Sequence, residues 1–179
     1  MKLFGFLQYK DVRTYRDYQD LPSGRRPMWW NPSESAALRS VKHITEQDLL
    51  CHIAQDTNCA KPVRECALSR ITSKDTLVGA LRFWHLRMPE LHDKFLQRLD
   101  AVLMDEIARI TDAARLAEIA RSEGPFSGSN VVRFAAVDRI DDLQVLKTIS
   151  ADRSMAYTPV RVHSDERIKL LQGDAPGRG

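Results

Sequence analysis

The sequence contains few glycines and prolines, which interrupt helices and strands, and few cysteines, which cross-link a chain. It has 8 glycines, 8 prolines and 3 cysteines among 179 residues, which excludes collagen-like, low-complexity and disulfide-rich chains. No uninterrupted apolar run approaches the roughly 18 residues of a membrane span. The apolar start gives way to Gln8, Lys10 and Asp11 too soon for a secretory signal. We therefore expect a folded cytoplasmic protein with no membrane partner.

Sequence motifs of common enzyme sites are also missing. The patterns Gly-x-Gly-x-x-Gly, Gly-x4-Gly-Lys-Ser/Thr and Gly-x-Ser-x-Gly do not occur, so neither a phosphate-binding loop nor a nucleophile elbow has support. The five histidines are scattered and form no His-x3-His or His-Glu-x-x-His pattern. The sequence predicts no catalytic residue, metal site or cofactor, and it favours a non-enzymatic protein.

The three cysteines follow the spacing Cys51-x7-Cys59-x6-Cys66. They cannot all pair within one chain, and a reducing compartment keeps thiols free. The spacing lacks the Cys-x2-Cys pair typical of zinc and iron–sulfur sites. We interpret the cysteines as small apolar residues of a packed core, with a metal site that includes His52 as the alternative.

Positive charge is concentrated at one end of the chain. The formal net charge is +3, yet residues 1–43 contain eight Lys and Arg against four Asp and Glu, and the remaining residues are close to neutral. If the protein binds an acidic partner, we expect the contact to lie in the first forty residues.

A short sequence motif that begins with Ile recurs along the chain and predicts structural repeats; we call each such motif a phrase. It starts at Ile44, Ile71, Ile110 and Ile140, with spacings of 27, 39 and 30 residues. A second phrase, Val-Arg-x-x-Ala or a variant of it, starts at residues 63, 132 and 160. Each phrase has apolar residues at helical spacing and therefore predicts one helix. Neither of the two helices could bury its apolar face alone. The pattern predicts an all-α fold, a short α-solenoid of about four helix pairs.

The predicted boundaries follow from these phrases. Residues 44–172 form the repeat array, residues 1–43 an N-terminal capping segment, and residues 173–179 a disordered tail. A long helix is expected from about residue 90 to 110, in the unit that carries an insertion. In the capping segment, apolar residues from Phe4 to Tyr18 predict one helix, and a new helix is expected after Ser33. Helix caps are predicted at Thr45, Thr72, Thr111 and Asp141.

The stretch Leu116–Ser122, followed by Val132–Asp142, resembles bacterial HEAT-like repeats, in particular their variant leucine-rich form. The resemblance covers roughly residues 44–171. It implies an α-solenoid that serves as a scaffold and docks partner proteins, an inference from fold-level analogy. Some variant leucine-rich repeat proteins carry an iron–sulfur cluster on an N-terminal cysteine group, so the resemblance also admits an iron–sulfur-binding repeat protein as a weaker alternative.

The candidate binding residues are Arg25, Arg26, Trp29 and Trp30. Two guanidinium groups beside two indoles could contact phosphate and stack on bases or on a peptide. Alternatively, the two tryptophans pack on the first repeat while the arginines are solvated. The main hypothesis is a protein–protein interaction module.

Arginines also recur in the repeats, at positions 64, 70, 98, 109, 133 and 139. They could form a basic ridge, as in HEAT-like base-repair proteins, or pair with acidic residues of the adjacent unit. The nearly neutral charge of the array favours internal pairing. A nucleic-acid-binding or base-repair protein is the alternative to the main hypothesis.

Overall fold

The computed structural model describes residues 8–84, 89–122, 129–153 and 158–173. The chain is mostly helical, with ten α-helices in these ranges, which confirms the predicted all-α class. The helices are α1 (Tyr15–Gln19), α2 (Glu34–Lys42), α3 (Gln47–Gln55), α4 (Lys61–Ser69), α5 (Lys74–Trp84), α6 (Pro89–Ile107), α7 (Ala113–Arg121), α8 (Asn130–Asp138), α9 (Leu143–Ala151) and α10 (Thr158–Gln172). No helix of the described ranges is long and apolar enough to cross a membrane.

The beginning of the chain differs from the predicted single helix. Strands β1 (Tyr9–Lys10) and β2 (Arg26–Pro27) pair in parallel, and a 3-10 turn (Met28–Trp30) follows β2. The helix prediction from Phe4 to Tyr18 is wrong for residues 8–14, because Tyr9 pairs with Arg26 and Thr14 caps α1. Residues 1–7 lie outside the described residues.

The chain divides into two compact units, residues 1–98 and 99–179. The predicted division into residues 1–43, 44–172 and 173–179 stays a prediction. Residues 174–179 of the expected tail lie outside the described part of the chain, as do residues 85–88, 123–128 and 154–157.

In the first unit, α2 packs against α4 and the 3-10 turn, and α3 packs against α4 and α5. Buried Ile44, Leu49, Ile53 and Val63 contribute to its core. In the second unit, α8 packs against α7 and α10, and α9 packs against the same two helices. Apolar burial is the main stabilising contribution in both units.

The second phrase lies in helices α4, α8 and α10, and the same two positions are buried in each. Val63, Val132 and Val160 are fully buried, and so are the small residues four positions later, Ala67, Ala136 and Ser164. Residues four apart lie on one helix face, and a small residue there allows close helix approach. Ser164 satisfies its hydroxyl by donating to the Val160 carbonyl at 2.9 Å. It therefore takes the place of an alanine in the interior.

Helix α6 confirms the predicted long helix but ends earlier, at Ile107. Its buried side chains recur every four residues, at Leu91, Phe95, Leu99, Leu103 and Ile107. This spacing is that of one helix face.

The helix caps lie one residue after the predicted positions. The observed cap residues are Glu46, Ser73, Asp112 and Asp142, in place of Thr45, Thr72, Thr111 and Asp141. Asp112 accepts a hydrogen bond from the Ala114 N–H at 2.9 Å, and Asp142 accepts one from the Gln144 N–H at 2.8 Å. A carboxylate in this place pairs with free N–H groups and complements the positive end of the helix.

Candidate functional site

The four candidate binding residues occupy two different environments. Trp29 is 1% exposed and its ring lies 5.7 Å from that of Tyr18, whereas Trp30 is half-buried. Arg25 and Arg26 are exposed. The structure therefore does not offer the two indoles as a joint stacking surface: Trp29 belongs to the core, and the two arginines face solvent. Their role in binding stays a prediction.

Trp30 is fixed by a carboxylate from the loop after α3. Its Nε1 donates to Asp56 Oδ2 at 2.5 Å, while Asp56 Oδ1 accepts from the backbone and side-chain nitrogens of Asn58. A hydrogen bond to a charged acceptor is stronger than one between neutral groups. The 3-10 turn is thus tied to the loop that joins α3 to α4.

A groove of about 750 Å³ opens beside the 3-10 turn, and we call it the N-terminal groove. Its walls are mostly apolar, with Arg39, His43 and Asp11 as charged or titratable groups. It is lined by Tyr9, Asp11, Met28, Asn31, Pro32, Ser33, Ala36, Arg39, Ser40 and His43. A concave, largely apolar surface with a few polar groups is typical of a binding site.

A second groove of about 570 Å³ lies across α1, α3 and α5, and we call it the α3–α5 groove. Its lining residues are Tyr15, Asp48, Cys51, His52, Gln55, Asp75, Thr76, Gly79 and Ala80. Tyr15 reaches it because the Tyr15 N–H donates to Glu46 Oε2 at 2.5 Å, which holds α1 against the start of α3.

The ring of the half-buried His52 packs beside two tyrosine rings at the edge of this groove. Its ring centroid lies 5.5 Å from that of Tyr15 and 4.6 Å from that of Tyr18. Burial lowers the pKa of His52, although the nearby charge of Asp56 opposes this shift. The imidazole is therefore neutral at neutral pH.

The three cysteines are free thiols. Burial, and next the charge of Asp48, raises the pKa of Cys51 to about 12. Burial and then the charge of Asp56 raise the pKa of Cys59 to about 12. Only a thiolate acts as a nucleophile or a metal ligand. These two thiols are thus poorly suited to either role at neutral pH.

We expect the free energy of unfolding to decrease as the pH rises above about 9. The folded state keeps both protons up to a pKa of about 12, whereas an unfolded thiol loses its proton near pH 9. This stabilising contribution is therefore complete below about pH 9 and is lost between about pH 9 and 12. At pH 10 the loss is about 1 kcal/mol per thiol.

Urea titrations of the wild type at pH 7 and pH 10 measure this loss. The C51A/C59A double variant has neither thiol, so its stability should change less over the same pH interval. An equal change in both proteins would show that the two thiols do not carry the pH dependence.

The recurrent arginines make contacts within the protein. Arg70 Nη2 donates to the Ile44 carbonyl at 3.0 Å, and Arg98 Nε donates to the Ile71 carbonyl at 2.8 Å. In the second unit, the corresponding bond joins Arg139 Nη2 to the carbonyl of Ile110 at 3.1 Å. These arginines therefore bridge successive phrases through backbone carbonyls.

The remaining recurrent arginines show no common surface. Arg133 is buried, Arg64 is half-buried and Arg109 is exposed. Three of the six thus reach a neighbouring phrase, but they donate to carbonyl oxygens and form no ion pair among the described residues. The expected pairing with acidic side chains is therefore wrong for these three.

Sequence reasoning assigned the α3–α5 groove no function. Asp48 and Asp75 occupy the same position in successive phrases, four residues after Ile44 and Ile71, and this repetition is a usable signal. Tyr15 gave no signal, because only the long-range bond to Glu46 brings it to the groove. In the described ranges, no group of three or more His, Cys, Asp or Glu residues is arranged to hold a metal ion.

Comparison of the chain with protein-family models, with curated proteins and with solved structures finds no match.

Proposed function

We propose that the chain is a non-enzymatic helical-repeat protein that docks another protein. In this proposal it is a short α-solenoid of the HEAT-like, variant leucine-rich kind, with residues 1–43 as its N-terminal cap. The three free thiols are compatible with a cytoplasmic location, where reducing conditions keep cysteines unpaired.

Two regularities support the repeat assignment. The fully buried valine and the small residue four positions later recur in α4, α8 and α10. The arginine-to-carbonyl bridges recur between phrases in both units. A repeat unit that stacks on its neighbour needs the same contacts at each interface, and both regularities have this property.

The N-terminal groove is the observation that carries the docking role. Its volume of about 750 Å³ and its mostly apolar walls suit the side chains of a partner segment. Met28 of this groove follows closely on the exposed Arg25 and Arg26, so an apolar surface lies next to positive charge. Interfaces commonly combine an apolar centre with a polar, solvent-accessible rim.

Nucleic-acid binding is the second candidate function. The exposure of Arg25 and Arg26 and the positive charge of residues 1–43 favour it. The internal use of Arg70, Arg98 and Arg139 does not, because these guanidinium groups already donate to carbonyl oxygens.

Affinity capture followed by reconstitution tests the docking role. Partners captured from the native host are purified, and their direct binding to this protein is measured by calorimetry. We expect one of them to form a stoichiometric complex that is at least tenfold weaker with the R25E/R26E variant. The matched control is R109E/K147E, which makes the same charge change at two exposed positions of the second unit.

The same samples separate the two candidate functions. Absence of any direct stoichiometric complex, or equal weakening by both double variants, contradicts the docking proposal at this end of the chain. Duplex DNA that binds at low salt, with an affinity that decreases steeply as salt increases, would favour the second function.

A further inference from the structure

The α3–α5 groove is lined by two aspartates, one from α3 and one from α5. Asp48 lies in the first turn of α3 and Asp75 in the first turn of α5. Thr76 Oγ1 donates to Asp48 Oδ1 at 3.3 Å, so the Asp48 carboxylate lies beside the residue that follows Asp75. Both aspartates are exposed, and both line the groove.

No positive group balances these carboxylates within the described residues. The groove is lined by neither lysine nor arginine there, and no described side chain forms an ion pair with Asp48 or Asp75. His52 is neutral at neutral pH, as shown above. The chain as a whole has a formal charge of +3, so the negative charge that lines this groove is a local feature.

Gly79 is an independent sign that the groove is kept open. It lies in the interior of α5, where glycine costs roughly 0.5–1 kcal/mol relative to alanine. Its φ is not positive, and a Cβ placed there meets no described atom within 4 Å apart from its chain neighbours and the backbone of its own helix. Neither backbone conformation nor packing therefore requires glycine, whereas an added side chain would project into the groove that Gly79 lines.

We infer that the α3–α5 groove receives a lysine- or arginine-bearing segment of the partner protein. The inference rests on the proposed docking function and names the chemistry of the docked segment. The apolar stem of a basic side chain fits the space over Gly79 and Ala80. Its cationic head pairs with Asp48 and Asp75, and Tyr15 offers a ring face for a cation–π contact.

A defined basic peptide tests this inference without the native partner. Unlabelled hexa-arginine is titrated into the isotope-labelled full chain, and the backbone amide signals of the protein are followed by NMR. We expect shifts at residues 48–55 and 75–80, and an affinity that decreases with added salt. The D48N/D75N variant should bind at least tenfold more weakly, because Asn keeps the shape and removes both charges.

Two further variants make the result specific. E34Q/D105N removes two exposed carboxylates elsewhere and should bind the peptide within twofold of the wild type. Gly79→Phe fills the groove and keeps its charge. It should also weaken binding at least tenfold, and the open space at Gly79 allows the variant to fold.

Several results would overturn the inference. The first two are absence of peptide binding and shifts that lie elsewhere on the protein. The others are weakening by E34Q/D105N equal to that by D48N/D75N, and a Gly79→Phe variant that binds the peptide with unchanged affinity. The docking role itself is judged by the capture and calorimetry experiment. A partner that binds wild type and D48N/D75N equally would thus leave that role intact and contradict only this inference.

Discussion

Replacing Trp29 by alanine should lower the free energy of unfolding of the first unit by about 3–5 kcal/mol. The side chain is 1% exposed, lies against Tyr18 and belongs to the turn on which α2 packs. Its removal leaves a large cavity that the short surrounding elements can fill only in part. Urea denaturation measures the loss, because all three tryptophans lie in residues 1–98 and their fluorescence reports on this unit.

Trp29→Phe and Trp30→Ala are the matched controls. Phenylalanine retains most of the apolar volume and removes a buried indole N–H that has no hydrogen-bond partner among the described residues. It should therefore cost much less than alanine. Trp30→Ala loses the bond to Asp56 from a half-buried side chain, and we expect about 1–2 kcal/mol. Equal losses for Trp29→Ala and Trp30→Ala would refute the assignment of Trp29 to the core.

The second large effect is expected from Ala136→Leu, which should destabilise the second unit by about 1–3 kcal/mol. Ala136 is fully buried in α8, which packs against α7 and α10. The larger side chain must push these helices apart or adopt a strained rotamer. The change in urea midpoint, followed by far-UV circular dichroism, measures the effect.

Ala101→Leu serves as the control for Ala136→Leu. Ala101 is an exposed residue of α6, so leucine there should change stability by at most about 0.5 kcal/mol. The corresponding variant in the first unit is Ala67→Leu, which should resemble Ala136→Leu because Ala67 is also fully buried. A neutral Ala136→Leu variant would mean that the helices do not approach closely at this position.

Helices of the repeated phrases could be predicted because their signals are local. Leu50, Ile53 and Ala54 mark one face of α3, and Val63 and Ala67 mark one face of α4, within a single window of sequence. The positions of the caps were uncertain by one residue, since Thr111 and Asp112 are both acceptable caps and only the hydrogen bond to Ala114 distinguishes them.

The N-terminal segment could not be predicted in the same way. Tyr9 falls at a helical spacing with Val12, yet its pairing with Arg26 depends on residues far along the chain. Trp29 and Trp30 are identical in chemistry and adjacent in sequence. The 3-10 turn decides which of the two enters the core. Non-local contacts override local propensity in such short elements.

The parallel pairing of β1 and β2 has a consequence for the two grooves. Parallel strands need a crossover, and here the crossover contains α1, a five-residue helix too short to be stable alone. We therefore expect β1, β2 and the crossover with α1 to unfold locally as one cooperative unit, so that their amides exchange hydrogen together. Tyr9 lines the N-terminal groove and Tyr15 lines the α3–α5 groove. A single local unfolding event would thus disrupt both proposed binding surfaces at once.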